Sequence, residues 1–483
     1  MAGSTARAAT VGRALGPTLF LLLLVVPTGA LTGEAKRVAA IVVWMAVWWV
    51  TEAAPLAVTS LLPVVLFPLF AVRGVREVTP NYANHMVFLF LGGFILALAV
   101  EQAGLHRRLA LATLDTIGTS PKRLVWGFLV ATAVLSMWLS NTATALMMLP
   151  IAGGVAARMA DQKTPTRLFL AVAFGASIGG VGTLIGTPPN LVMAGMAPNL
   201  VPGLESLTFG GWMIFGVPFV LLMLPIAGLS LARGLSGGER HSTMLRDERR
   251  ALGAWRPAEK RVAALFSVTA VAWITRSGFD LGAISIPGWS ALLPDPKLVS
   301  DAVPAIAAAV LATLLPSGEG DGRRLLTWDE IRHGVPWGVL LLFGGGFAVA
   351  DAVAASGLDG WLADRLHGLA ALPFPLAIMA VAAIAMVATE LTSNTATATL
   401  LMPIMAALSK VLGTPPYLLM VPAAVACSCA FMLPVATPPN AIVIGSGRVS
   451  ATQLFTEGVR LNAAAVLVIT ILSLTLGRLV LPT

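Results

Sequence analysis

An all-α polytopic membrane protein is the fold this sequence predicts, and three observations predict it. Of 483 residues, 57% are hydrophobic and only 11% charged, whereas a soluble domain carries about 25% charged residues. Apolar runs of about 20 residues, the length at which a helix crosses a bilayer core, recur along nearly the whole chain. Long segments also repeat in register between the two halves, each interrupted midway by polar residues or paired prolines. With no polar stretch long enough for a separate soluble domain, residues 1–483 read as one membrane domain.

Taken in order, spans are predicted at 14–31, 38–53, 55–72, 84–103, 167–198, 209–232, 259–275, 300–316, 335–355, 415–447 and 457–480, eleven in all. The first follows Arg7 and Arg13, a charge pattern shared with signal peptides, but the many later spans make it a membrane helix. Stretches 122–160 and 372–411 are too long for one helix and are broken midway by Ser-Asn-Thr. Each reads as a re-entrant helical hairpin. Segment 233–258 is dense in both charge signs and reads as a cytoplasmic linker. With the N-terminus cytoplasmic and both hairpins returning to their side of entrance, 22 of the 31 Lys and Arg fall inside and nine outside. The positive-inside rule favours that topology, which leaves the C-terminus outside. The net charge of +8 is thereby explained by topology, not by nucleic acid. Cys427 and Cys429 sit in a small-residue apolar run and read as packing, not as a disulfide framework.

The repeat is specific. Leu89-Phe90-Leu91-Gly92-Gly93-Phe94 matches Leu342-Phe343-Gly344-Gly345-Gly346-Phe347 at an offset of 253. The same offset carries Gly104-Leu105 onto Gly357-Leu358, and Ser140-Asn141-Thr142-Ala143-Thr144-Ala145 onto Ser393-Asn394-Thr395-Ala396-Thr397-Ala398. Gly186-Thr187-Pro188-Pro189-Asn190 matches Ala436-Thr437-Pro438-Pro439-Asn440 at an offset of 250. Moving from span 84–103 to span 335–355 advances an odd number of spans, so copies 84–232 and 335–480 enter the membrane from opposite sides. Inverted repeats with interrupted segments point to a secondary transporter whose site lies where the two copies meet.

The interruptions carry the chemistry. Non-helical backbone at membrane depth frees amide and carbonyl groups that need protein, water or a ligand. At each hairpin tip Ser, Asn and Thr offer neutral donors and acceptors, freed carbonyls suit a hard cation, and helix N-termini suit an anion. The Pro-Pro pairs remove amide donors and hold two spans open, with the Thr187 and Thr437 hydroxyls at the breaks. No Lys or Arg lies in a tip or break, so a co-bound cation must neutralise an anionic cargo. Ionisable residues inside spans are functional candidates. Glu390, three residues before Ser393, is read as tuning the cation site, and Glu52, His85 and Asp351 as sitting at span ends. His85, His106, His241, His333 and His367 fall on separate segments without metal-ligand spacing, which argues against an enzyme. Two inverted copies suit alternating access better than a channel.

At these residues the chain resembles the divalent-anion:sodium symporter family over nearly its whole length. The most specific stretch contains Ser428, Phe431, Pro434, Val435, Ala436, Asn440, Ile442 and Val443, together with the duplicated Ser-Asn-Thr. The resemblance implies a homodimer in the lipid bilayer, with scaffold and transport domains and an elevator-like motion. It implies one sodium site at Ser136, Ser140, Asn141 and Gly186 and another at Thr389, Thr392, Asn394 and Ala436. It places a dicarboxylate at Ser140, Asn141, Thr142, Thr187, Ser393, Asn394, Thr395, Thr437 and Pro438. Sodium-coupled import of a C4 dicarboxylate such as succinate, malate or fumarate in a bacterial inner membrane is the activity expected. Family members also exchange dicarboxylates or carry citrate, sulfate or tartrate, and the motifs do not separate these.

Overall fold

The computed structural model describes residues 2–29, 31, 33–159, 161, 163–235, 244–280, 285–320 and 322–482. Arg240 and His241, assigned above to the linker, lie outside the described residues. Helices account for most of the described chain. Seven of them are long and apolar enough to cross a membrane, namely Arg7–Val25, Val75–Gln102, Phe209–Ala232, Trp337–Ser356, Phe374–Leu391, Asn394–Leu412 and Ala451–Val480. Five coincide with predicted spans and two are the limbs of the second hairpin. Helix Gly33–Thr51 occupies predicted span 38–53, and Glu34, Lys36 and Arg37 crowd its first turn.

The structure corrects the sequence reading at one span and adds three features to it. Predicted span 55–72 is two short helices, Leu56–Thr59 and Leu62–Leu69. Pro63 in the second of them has no amide hydrogen to continue the first, and Tyr82 Oη donates to Ser60 O at the joint. The stretches after spans 84–103 and 335–355, to which the sequence reading assigns no element, are helices Leu105–Ile117 and Leu358–Leu366. They are too short to cross and too charged to show as apolar runs. Gly104 (φ 75°) and Gly357 (φ 73°) turn the chain into them through the left-handed region that favours glycine. The linker contains an amphipathic helix, Met244–Ala251. Between the helices Pro257–Thr275 and Ala302–Leu314, Gly278–Asp280 pairs antiparallel with Ser285–Pro287.

Both hairpin stretches are helix-turn-helix units. The first has limbs Pro121–Ser136 and Asn141–Ala156, of 16 residues each, so each reaches about 24 Å at about 1.5 Å per residue, short of a bilayer core of about 30 Å. The second has limbs Phe374–Leu391 and Asn394–Leu412 joined through Thr392 and Ser393. Each hairpin is followed by a broken helix. Lys163–Gly180 resumes as Pro188–Leu200, and Tyr417–Ser428 resumes as Pro438–Gly445.

The packing of these pieces is reciprocal. The first limb of each hairpin lies along the helix before the break in its own half. The helix after each break lies against the second limb of the other half's hairpin, so Pro188–Leu200 meets Asn394–Leu412 and Pro438–Gly445 meets Asn141–Ala156. Small residues make this possible. A methyl group on Gly179 would come within 2.1 Å of Ala133 O, so only glycine lets Lys163–Gly180 approach the first hairpin limb this closely. Phe174 and Phe431 meet edge to face at 5.5 Å across the two halves.

Candidate cation and anion site at the helix breaks

The breaks follow from local chemistry. Proline forces the residue before it out of the helical region. Thr187 (φ −142°, ψ 141°) and Thr437 (φ −139°, ψ 148°) are accordingly extended, each followed by a helix with proline at its first positions. Thr437 caps its helix by accepting from Asn440 N. Both threonines are buried, and the Ser428 hydroxyl donates to Thr187 Oγ1 at 3.4 Å, joining the two breaks directly.

In the first half, Ser136 Oγ lies 2.8 Å from Asn141 Oδ1 and 2.7 Å from Ala176 O. One hydroxyl proton cannot serve both acceptors. With the Asn141 carboxamide turned so that its nitrogen faces inward, the conflict disappears, because it donates to Ser136 Oγ (2.8 Å), Ala176 O (3.1 Å) and Gly186 O (3.3 Å). With its oxygen inward, four oxygens converge, an arrangement that a bound cation would stabilise. Ligand oxygens at right angles around a hard ion with bonds of about 2.4 Å stand about 3.4 Å apart, so the present 2.7–3.3 Å spacings are those of a hydrogen-bonded cluster that an ion would spread by a few tenths of an ångström. Glycine at 186 is required because a side chain there would strike Gly180 O.

The second half repeats the pattern. Thr389 Oγ1 lies 2.6 Å from Asn394 Oδ1 and 2.8 Å from Cys427 O, again one proton facing two oxygens. Among the described residues no three His, Cys, Asp or Glu side chains converge on a metal position, so the oxygens gathered here are neutral. That set suits a hard monovalent ion better than zinc or a transition metal.

Other expected residues take other positions. Ser140 accepts from Ala143 N (3.2 Å) as the cap of the second hairpin limb, with its own side chain exposed. Thr392 Oγ1 donates to Ala388 O (2.9 Å) and meets Thr397 Oγ1. Ala436 N donates to Leu433 O (3.3 Å). Thr142, Ser393 and Asn394 are half-buried in the first turns of the second limbs, Thr395 is buried, and Pro438 is exposed at the start of its helix. Those limbs begin at Asn141 and Asn394, where free amides and the positive dipole end favour an anion.

Glu390 is 2% exposed and accepts from Met432 N (2.8 Å), Leu433 N (2.9 Å) and Asn462 Nδ2 (2.8 Å). It therefore holds amides freed by the second break and ties them to helix Ala451–Leu472. Glu52 follows the end of helix Gly33–Thr51, and Asp351 lies within helix Trp337–Ser356, paired with Arg73 at 3.6 Å. Sequence reasoning assigned no role to the Ala176 and Cys427 carbonyls, because a backbone oxygen leaves no mark in residue type. It likewise assigned none to Asn462, or to Trp212, whose Nε1 donates to Val181 O (2.8 Å).

Comparison with known proteins agrees with this architecture. Residues 11–482 match the sodium:sulfate symporter transmembrane region. The chain is 39% identical over 480 residues to the sodium-dependent dicarboxylate transporter SdcS of Staphylococcus aureus strain bovine RF122, covering 95% of this chain and 89% of that protein. Identity to SdcS of strain USA300 is 40% over the same coverage. Among solved structures, the Alcanivorax borkumensis YdaH transporter superimposes with a TM-score of 0.57 at 14% identity, covering 83% of this chain and 87% of that one. Neisseria gonorrhoeae MtrF gives 0.58 at 13% identity, covering 83% of each. Those two likenesses speak to the fold alone, an all-helical polytopic membrane protein. From the match across nearly its whole length, the chain belongs to the sodium:sulfate symporter family, membrane transporters and not enzymes, the divalent-anion:sodium symporters that its duplicated motifs resemble.

Proposed function

We propose that the chain imports a C4 dicarboxylate such as succinate together with sodium across a bacterial plasma membrane, with its N-terminus in the cytoplasm. The observation that carries this reading is the pair of neutral oxygen clusters, Ser136, Asn141, Ala176 and Gly186 in one half and Thr389, Asn394 and Cys427 in the other. The relatives' sodium-dependent dicarboxylate transport supports the choice of cargo.

In this reading sodium turns each asparagine oxygen inward and orders the tip it belongs to. Ser140, Asn141, Thr142, Thr187, Ser393, Asn394, Thr395, Thr437 and Pro438 then surround the dianion. Ser140, Thr392 and Ala436 complete the two sodium sites. Because no Lys or Arg is present at the tips, the bound cations supply the charge that offsets the dianion, and affinity for one rises with occupancy by the other. Driving a dianion toward a negative interior costs about 2.3 kcal/mol per charge per 100 mV, and more than two sodium ions reverse that sign. Repeats 84–232 and 335–480, related by inversion, supply the two faces of alternating access, and the elevator motion and homodimer that the family resemblance implies complete the proposal.

The test is radiolabelled succinate uptake into proteoliposomes under an inward sodium gradient, without sodium, and without sodium but with internal succinate. Accumulation that requires the sodium gradient and is lost in Asn141→Ala and Asn394→Ala supports symport. Uptake that needs only internal succinate replaces symport with exchange. Uptake of sulfate or citrate in place of succinate changes the cargo.

A further inference from the structure

Opening a helix frees more carbonyls than a small cation can use, and something must decide which ones it meets. In the first break, Asn190 Nδ2 donates to Gly180 O (3.2 Å), Val181 O (3.5 Å) and Thr183 O (2.8 Å). In the second, Asn440 Nδ2 donates to Ala430 O (3.1 Å) and Leu433 O (3.0 Å). These are equivalent carbonyls, since the offset of 250 that relates Asn190 to Asn440 also relates Gly180 to Ala430 and Thr183 to Leu433. Both side chains are fully buried.

A second observation is independent of those bonds. The oxygens Asn190 Oδ1 and Asn440 Oδ1 are both buried without a hydrogen-bond partner. Turning either carboxamide round would point its oxygen at carbonyl oxygens, so the orientation is fixed. Each half thus tolerates an unpaired buried acceptor, which is costly, at the same position. The side chain is held there for its amide donors.

Gly180 O lies against Gly186, whose carbonyl faces Asn141. If it were not held by Asn190, Gly180 O would be a competing ligand beside the oxygen cluster. We propose that Asn190 and Asn440 are positioning residues for cation selectivity. Each withdraws the inner carbonyls of its break, leaving the cation a fixed small set of oxygens that includes Gly186 O in the first half. This inference rests on the sodium-coupled reading above. Selectivity among hard cations depends on ligand number and on how freely the ligands move. Releasing the inner carbonyls adds candidates and mobility together, which weakens sodium binding and blurs its distinction from lithium and potassium.

The experiment uses purified full-length protein and the ions alone. Its melting midpoint is followed as sodium, lithium or potassium chloride replaces choline chloride at constant ionic strength. Wild type is expected to show a saturable rise that is largest for sodium. Asn190→Ala, and the milder Asn190→Ser and Asn440→Ser that keep one donor, are expected to weaken the apparent sodium affinity by about tenfold or more, as loss of a ligand-orienting partner does. Their sodium preference over lithium is also expected to fall, and the sodium-specific rise to shrink by more than the lowering of the midpoint in choline that the unpaired carbonyls themselves cause. A midpoint lowered equally in every salt, with sodium affinity and the sodium-to-lithium ratio as in wild type, makes both residues merely structural and overturns the inference. A wild type with no sodium-specific rise overturns the sodium-coupled reading itself, and the inference with it.

Discussion

Replacing Glu390 by Gln changes one atom in a buried position, and its cost can be worked from the contacts. Glu390 Oε1 accepts from Met432 N and Asn462 Nδ2, and Oε2 accepts from Leu433 N. In Glu390→Gln the carboxamide oxygen can keep the first two donors, but its NH2 group then faces the Leu433 amide, donor against donor. Hydrogen bonds to a charged acceptor are worth about 1.5–3 kcal/mol against about 0.5–1.5 for neutral ones, and an orphaned buried donor costs about 1–3. Demoting two bonds and orphaning one donor therefore destabilises by about 2–5 kcal/mol. Asn462→Ala removes one donor and leaves the carboxylate two, so it should cost less. Unfolding of purified protein in mixed detergent micelles measures both, and the double mutant should reveal coupling of about 0.5–3 kcal/mol, the range for residues in one network. Stability of Glu390→Gln indistinguishable from wild type, with no coupling to Asn462, would show that the carboxylate does not hold the second break.

Three further outcomes follow from other contacts. Arg108 and Glu259 form a buried pair at 2.9 Å, with side chains 10% and 3% exposed, and Arg108 also donates to Leu252, Gly253 and Ala254 carbonyls. Glu259→Ala leaves that guanidinium without its counter-ion and should cost about 3–5 kcal/mol in the same unfolding assay. Gly179→Val would drive a side chain into Ala133 O and should abolish a sharp melting transition, whereas a melt like that of wild type would mean that the hairpin limb is not seated there. Asp161 accepts from Lys163 N, Thr164 N and Thr164 Oγ1. Its slight burial would raise its pKa, but these bonds outweigh that and hold its carboxyl below the usual range. The stability it contributes is present above the ordinary aspartate value and lost as pH falls through the lowered one. Hydrogen-exchange protection at Thr164 should accordingly drop between about pH 5 and about pH 2, and Asp161→Asn should flatten that profile.

Much of the architecture could be read from residues because membrane spans and breaks leave marks in composition. The Ser-Asn-Thr and Pro-Pro motifs located both helix-turn-helix units and both interrupted helices to within a few residues. The helices Leu105–Ile117 and Leu358–Leu366 escaped because they are short and polar on one face, with His106, Arg107 and Arg108 in one and Asp359 and Arg365 in the other. Only the paired Gly104 and Gly357 hinted at them. Of the proposed site, the residue types offered the side chains of Ser136, Asn141, Thr389 and Asn394, which the fold brings into contact in pairs. The site was not legible where Ala176 and Cys427 contribute carbonyls, since any residue supplies the same oxygen. Asn190 and Asn440 stood in plain view within a repeated motif, but their role depends on which carbonyls fold back beneath them.

The two halves build like oxygen clusters on unlike supports, and that difference predicts an order of loading. The first break is held by neutral groups, with Trp212 Nε1 on Val181 O and Thr183 Oγ1 on Met137 O. The second is held by Glu390, which follows Thr389 directly, and Met137 stands where the offset of 253 would place Glu390's counterpart. Among the described residues, the second cluster therefore has a carboxylate built in beside it, where the first has Met137. At an effective dielectric constant of about 20 a neighbouring unit charge is worth on the order of 2 kcal/mol to a cation, enough to favour that cluster by roughly tenfold or more. Sodium should accordingly fill the second cluster first and the first cluster at higher concentration. Titrating the melting midpoint with sodium separates the two, since Asn394→Ala should remove the high-affinity phase and Asn141→Ala the low-affinity one. The reverse assignment would mean that the three donors around Glu390 cancel its field at the site, leaving the carboxylate only its role in holding the break.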